Sequence, residues 1–440
     1  MADTLAGDAR HRVPPLARSV ERGAPHALDV PHDGARHLLF TWDFGWLWWG
    51  QLVSQVGDGI TRLALLWFVY SATGSALQTT MVGLLQTLPP VIFGPLIGVY
   101  LDRLPKKSLM IASDLLRAVI IGLIPWMVPP KSLTVDYLFG LVFLNSIAST
   151  VFGPAMIASV AFIVPRGRFT AANALLQITS SLGVIVGSTL SGIGISALSS
   201  QETLGVNAIT YLGSAACLTL VRIPRLASTE DAGTERSSTM HDLLEGIRYA
   251  FRQQPLLLQL IIAAALYSFG MSAFSTLFPI LGKNMLGLGP EEIGYLWSSL
   301  GVGLFVVSIG LTFMTEWSME RRLQAIALSS VVTTVCLCAM ITTSNRALIG
   351  VLLSLVGAGI GLFTPVAWGI LQEVAPPAMV ARLLTLYGAV AMAAAMLGMT
   401  SLAWVMQRFG ATETVMGIAG FLLITAAMTD RLSRRVDRSA

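Results

Sequence analysis

Twelve apolar stretches follow one another between residues 43 and 429, most of them separated by short polar turns, and this subdivision limits the folds open to the chain. They run over approximately 43–72, 77–101, 107–128, 137–161, 169–198, 203–222, 255–281, 291–315, 321–342, 347–371, 380–406 and 411–429. A helix needs about 20 mostly apolar residues to cross the hydrocarbon core of a bilayer. Backbone polar groups find no water in that core, so runs of this length must be helices that satisfy their own hydrogen bonds. Only 12% of the residues are charged, about half the roughly 25% of a soluble domain. The expected fold class is an all-α membrane protein with twelve transmembrane helices and the lipid bilayer as its solvent.

The segments outside the spans set the organisation. Residues 1–42 are rich in Ala, Arg, His, Pro and Gly without apolar periodicity, and lack the short apolar core of a signal peptide. They read as a disordered tail. Residues 223–254 form the longest interior connection. Its second half, His241–Gln254, places Leu243, Leu244, Ile247, Ala250 and Phe251 on one helical face, as in a helix lying along a membrane surface. Residues 431–440 read as a second tail. Of the 28 Lys and Arg, 22 fall on one side of the alternating topology and four (Lys131, Lys283, Arg346, Arg408) on the other. By the positive-inside rule both termini are cytoplasmic. Cys217, Cys336 and Cys338 lie in apolar runs and imply no disulfide framework. The net charge of +4 gives no sign of a nucleic-acid partner.

The two halves echo each other at an offset of 211 residues. Gly83 corresponds to Gly294, Phe152-x-Pro154 to Phe363-x-Pro365, Pro165 to Pro376 and Gly187 to Gly398. A parallel six-plus-six repeat is the arrangement in which a substrate site lies near the midplane between two rocking halves.

The sharpest motif joins spans 2 and 3: Gly98-x-x-x-Asp102-Arg103-x-x-Lys106-Lys107. With Gly50-Gln51-x-x-Ser54, Thr73-Gly74-Ser75, Asp114, Pro154-Ala155, Val164-Pro165, Ala172-Asn173, Glu245-Gly246 and Leu371-Gln372-Glu373, it resembles the major facilitator superfamily, in its branch of bacterial macrolide-efflux and siderophore-exporter drug:proton antiporters. The resemblance covers about residues 43–430. It implies two six-helix bundles, 43–222 and 255–430, in the bacterial inner or plasma membrane. It also implies a small-molecule substrate exchanged for protons, a monomer and no cofactor. In such a loop Gly98 lets a neighbouring helix approach, and Asp102 can cap the start of span 11 near Val380. Gly98, Asp102, Arg103, Lys106, Asp114 and Arg117 are therefore expected to form a cytoplasmic gating latch; topology-setting charge alone is the plainer reading of the loop. Two departures stand out. Gly187-Ser188 occupies span 5 where antiporters of the family often carry Gly-Pro. The second-half counterpart of the loop is degenerate, Thr315-Glu316-Trp317 and then Glu320-Arg321-Arg322.

Ionisable groups inside spans are costly and mark function. Asp58 and Arg62 lie in span 1 at i,i+4, on one face. They read either as a static ion pair or as a site for proton coupling or substrate, in the outer half of the span. Asp114 and Arg117 share a face of span 3 at i,i+3 and read as a cytoplasmic gate network with Arg103, with a proton site as the alternative. Gln55, Asn145 and Gln177 are polar candidates for a substrate cavity, alongside Tyr267, Trp297, Trp368, Tyr387 and Met392 from the second half; packing is the alternative for each. Trp67 and Tyr70 read as an interfacial aromatic belt. No metal-ligand spacing, nucleophile triad or phosphate loop is present, and all five histidines lie outside the spans. The function expected is export of an amphipathic small molecule, drug or secondary metabolite by alternating access, not catalysis. A siderophore exporter or importer is the rival of the same fold, and a non-transporting membrane sensor the rival of another class.

Overall fold

The computed structural model describes residues 39–101, 104–127, 135–165, 169–222, 255–312, 317–376 and 379–437. Among them are twelve helices and no strand: α1 Trp42–Thr73, α2 Ala76–Leu101, α3 Lys106–Met127, α4 Val135–Ile163, α5 Phe169–Ala197, α6 Ser200–Leu220, α7 Pro255–Leu286, α8 Pro290–Thr312, α9 Met319–Thr342, α10 Arg346–Val374, α11 Val380–Arg408 and α12 Ala411–Asp437. All twelve are long and apolar enough to cross a membrane. The expected tail 1–42 (up to residue 38), the linker with its amphipathic segment, Asp102 and Arg103 lie outside the described residues.

Helix ends follow local chemistry. Gly74 stops α1 in the left-handed conformation at φ 64°, with its N–H returned to the Tyr70 carbonyl. Ser199 caps α6 by accepting the Glu202 N–H, and Asn345 caps α10 by accepting those of Ala347 and Leu348. α12 corrects the expected boundary: the helix continues past Asp430 through Asp437. Apolar counting ends where charge begins, but the Asp430–Arg434 pair at 2.9 Å and buried Leu432 and Ser433 carry the helix on.

Packing repeats between the halves. In the first six helices α1 lies against α5 and α6, α3 against α6 and α4, and α2 against α4; in the last six α7 lies against α11 and α12, α9 against α12 and α10, and α8 against α10. The two sets meet chiefly along α5–α8 and α2–α11. The 211-residue echo becomes geometric here. A Cβ at Gly187 would stand 2.7 Å from Gly59 Cα, where α5 meets α1, and one at Gly398 would stand 2.7 Å from Phe269 Cα, where α11 meets α7. The glycine pair Gly83 and Gly294 lies instead on the seam, facing Met399 of α11 and the Ser188 carbonyl of α5 respectively. Small residues allow such backbone approach where no hydrophobic driving force separates helix from lipid.

The side-chain contacts across the seam cluster at one end of the bundle, that of the α1–α2, α5–α6, α7–α8 and α11–α12 turns. Tyr70 donates to Asn284 Oδ1 at 2.9 Å, and Lys283 Nζ lies over the rings of Trp67 and Tyr70 at 5.2 and 5.3 Å. Ser298 donates to the Ile185 carbonyl at 2.6 Å and stands 2.6 Å from Thr189 Oγ1. Trp67 and Tyr70 are thus more than a belt: they hold α1 to α7. At the opposite end the polar contacts among the described residues stay within one half. Lys107 donates to the Thr219 and Val221 carbonyls, Asp43 accepts the Arg222 N–H, and Arg322 pairs with Glu373.

Candidate functional site

Three helices of the first half converge on one buried polar cluster. α1 is 32 residues long, so Asp58 stands at its middle rather than in its outer half. Gly57, beside it, makes the approach of α6 possible: a Cβ there would strike Thr210 Oγ1 and Asn207 Oδ1. α6 carries Asn207, Tyr211 and Ser214 along one stripe. α3 brings Asp114 and Arg117, two groups the one-turn spacing already put on one face.

Arg117 ties the cluster together. Its Nη2 donates to Asp58 Oδ1 and to Tyr211 OH, both at 2.6 Å, and Tyr211 OH donates to Asp58 Oδ1 at 2.5 Å. The guanidinium carbon also lies 4.0 Å from the centre of the Tyr211 ring, a cation–π contact. The Arg117 side chain is 5% exposed and that of Asp58 33%. Around them Asn207 Nδ2 donates to Thr61 Oγ1 at 2.6 Å and Thr210 donates to Asn207 Oδ1 at 2.6 Å. A buried charge without partners is strongly destabilising, so the three-way arrangement is what allows Arg117 to lie inside the bundle.

The partners differ from the sequence expectation in one respect. The i,i+4 spacing pairs Asp58 with Arg62, yet Asp58 bonds to Arg117 from another helix. Arg62 is exposed and closes no hydrogen bond or ion pair with Asp58, acting on it only through its charge. A neighbour along one helix is only one of the groups an acid can reach; a fork-shaped guanidinium with a tyrosine beside it binds more strongly. Asp114 is fully buried, with Arg117 Nη1 3.7 Å from Oδ1 and neither oxygen in a hydrogen bond.

Of the expected latch, Asp102 and Arg103 are outside the described residues, Gly98 lies in the helical run of α2 and Lys106 opens α3. Asp114 and Arg117 are drawn into the Asp58 cluster. Of the cavity candidates, Gln55 and Asn145 are half-buried, and Gln177, Trp368 and Met392 are exposed. Tyr267, Trp297 and Tyr387 are buried, as the packing reading of each has it. Tyr267 stacks on Phe363 at 3.9 Å, Trp297 meets the edge of Phe278 and Tyr387 that of Trp368. Large rings lose most free energy when left exposed, so they take the packing role. A pocket with a cavity volume of only about 20 Å³ lies among α7, α9 and α12, lined by apolar side chains including Phe278, Met285, Met340 and Val415. Nothing in it fixes a polar ligand. Sequence reasoning missed Tyr211; the polar run Asn207, Tyr211, Ser214 in an apolar span was the signal for it.

Comparison with known proteins agrees on the kind of protein this is. The family model described as Major Facilitator Superfamily matches residues 47–399. Macrolide efflux protein A of Streptococcus pyogenes is 23% identical over 382 residues, 87% of this chain and 93% of that protein. The multidrug efflux pump Tap of Mycolicibacterium fortuitum is 27% identical over 368 residues, 79% of this chain and 85% of that protein. Among solved structures, the nucleoside transporter NupG superposes with a TM-score of 0.72 at 11% identity, covering 88% of this chain and 98% of that one. A bacterial homologue of the human lysosomal transporter Spinster, inward-facing and unoccupied, does so with a TM-score of 0.68 at 11% identity, covering 92% and 98%.

Proposed function

The chain belongs to the Major Facilitator Superfamily, and from that premise we propose that it exports an amphipathic small molecule, macrolide-like or another drug or secondary metabolite, in exchange for protons. It is a multi-pass protein of the cell membrane, and its relatives with efflux names support the direction. The observation that carries the proton half of the reading is the Asp58–Arg117–Tyr211 cluster. It places an acid, a base and a hydroxyl inside the first half at mid-span, where charge is expensive and otherwise avoided. One-third exposure of Asp58 leaves it open to a group entering between the halves.

On this reading both termini face the cytoplasm, residues 43–222 and 255–430 rock against each other, and the cluster of seam contacts lies at the outer face. The conformation is then the one closed to the outside. The exposed Trp368 and Met392, with Gln55 and Asn145, line the route of the substrate. A mostly apolar path with few fixed charges suits a bulky lipophilic molecule.

The test is efflux of macrolides and dyes from cells expressing the protein, with and without an uncoupler. Asp58→Asn is expected to abolish pH-driven efflux. Proton-coupled counterflow persisting in Asp58→Asn would remove Asp58 from the coupling step, and efflux indifferent to the uncoupler would remove proton antiport.

A further inference from the structure

One guanidinium stands between two carboxylates that are treated unequally. Asp58 receives both short hydrogen bonds, from Arg117 and Tyr211. Asp114, one turn before Arg117 on α3, is fully buried and receives none, although Arg117 Nη1 is 3.7 Å away. The one neighbouring donor is the buried Ser214 hydroxyl of α6, which faces Asp114 without closing a well-formed hydrogen bond, and Gln51 Oε1 of α1 is buried without a partner. Among the described residues of the first seven helices, Arg62 is the only other charge away from a helix end. α2 and α5 contain no charged residue, α4 and α6 carry only Asp136 and Glu202 in their first turns, and α7 carries only Lys283 in its last. Arg62 itself is exposed and acts on Asp58 from one turn along α1, whichever carboxylate Arg117 faces.

An ionised carboxylate in a dry interior without donors is strongly disfavoured; the same group protonated is tolerated. We propose that Asp114 holds the exchangeable proton, and that Arg117 is handed from Asp58 to Asp114 when a cationic group of the substrate occupies Asp58. The proposal rests on the antiport reading and names its proton site and substrate class. Before the exchange the trio is Asp58 ionised, Arg117 cationic and Asp114 neutral. After it, Asp58 is matched by the substrate cation and Arg117 by an ionised Asp114. The cluster is neutral in both states, so neither leaves an unpaired charge buried. The O–H bond of Asp114 breaks, its proton leaves to water, and the Arg117 N–H groups exchange one carboxylate acceptor for the other. Cation in and proton out is the order an antiporter requires.

Neutralising Asp58 by substitution imitates the arrival of the cation and needs no identified substrate. Infrared spectra of the purified full-length protein at neutral pH are expected to show a protonated carboxyl band in the wild type. The band is lost in Asp114→Asn. It is also lost in Asp58→Asn, because the freed Arg117 ionises Asp114; it returns in Asp58→Asn/Arg117→Met and is kept in Asp58→Glu. A wild type without the band, a band surviving Asp114→Asn, or one unchanged in Asp58→Asn overturns the proposal. The substrate class is read with two ions of one shape. Tetraphenylphosphonium should raise the unfolding temperature of the wild type and not of Asp58→Asn, and tetraphenylborate should raise neither. Stabilisation by the anion, or by neither ion, overturns the cationic assignment. Wild-type vesicles that move protons on addition of drug while the band pattern fails would keep antiport and dismiss Asp114. The expected band pattern without drug-dependent proton movement would dismiss antiport itself.

Discussion

Tyr211→Phe isolates a single hydroxyl in the cluster. The change removes an acceptor of Arg117 Nη2 at 2.6 Å and a donor to Asp58 at 2.5 Å, but keeps the ring 4.0 Å from the guanidinium carbon. A hydrogen bond to a charged group contributes about 1.5–3 kcal/mol. The two are not independent here, because Arg117 Nη2 also reaches Asp58 directly and neither charge is orphaned by the loss. Asp58 is one-third exposed, and water replaces part of what the hydroxyl gave it. The expected cost is therefore that of about one such bond, roughly 2 kcal/mol. Tyr211→Ala adds the loss of a fully buried ring, about 3–5 kcal/mol more. Unfolding by sodium dodecyl sulfate in mixed micelles measures both. A double-mutant cycle with Asp58→Asn gives the coupling, expected at about 1–2 kcal/mol, where independent sites stay within about 0.5. Tyr211→Phe as stable as the wild type, with no coupling to Asp58→Asn, would refute the view that the hydroxyl helps Arg117 stay buried.

Gly187→Leu should prevent stable assembly, because its Cβ would meet the Val56 carbonyl at 2.5 Å and Gly59 Cα at 2.7 Å, backbone that has nowhere to move; normal yield and melting of that variant would show that α1 and α5 can separate. Tyr70→Cys and Asn284→Cys, joined by a short bismaleimide in a background lacking Cys217, Cys336 and Cys338, should stop transport reversed by no uncoupler, since α1 and α7 could no longer part at that end; undiminished efflux after complete cross-linking would contradict this. Asp102→Asn is expected to lower transport several-fold while the protein remains folded in the membrane, and a wild-type rate would dismiss the latch. Arg62→Gln, which removes the second positive charge acting on Asp58, should cost no more than about 1 kcal/mol of stability, as for an exposed charge pair, and a larger loss by the same micelle titration would reveal a structural role.

The twelve spans were legible because apolar length is written along the chain, one residue after another. The Gly83/Gly294 and Gly187/Gly398 correspondences were legible as spacing, although which pair lies on the seam and which within a half was not. The pairing of Asp58 was hidden for a physical reason. Sequence periodicity reports neighbours on one helix, and Arg117 is 59 residues away on another. Tyr211 was hidden because an aromatic residue in a span reads as packing, and its hydroxyl acquires meaning only beside an ion pair. For Tyr267, Trp297 and Tyr387 the span alone left packing and cavity surface both open, and their rings are buried in the core.

Among the described residues, every charge at mid-membrane depth belongs to α1 or α3, and the last six helices supply none. The first half therefore carries an ionic constraint that a single substitution breaks, and the second is free of it. On the export reading, the last six helices can change in shape and polarity without disturbing that constraint. Grafting the last six helices of a relative after the linker would then alter the substrate range and leave the ionic cluster whole.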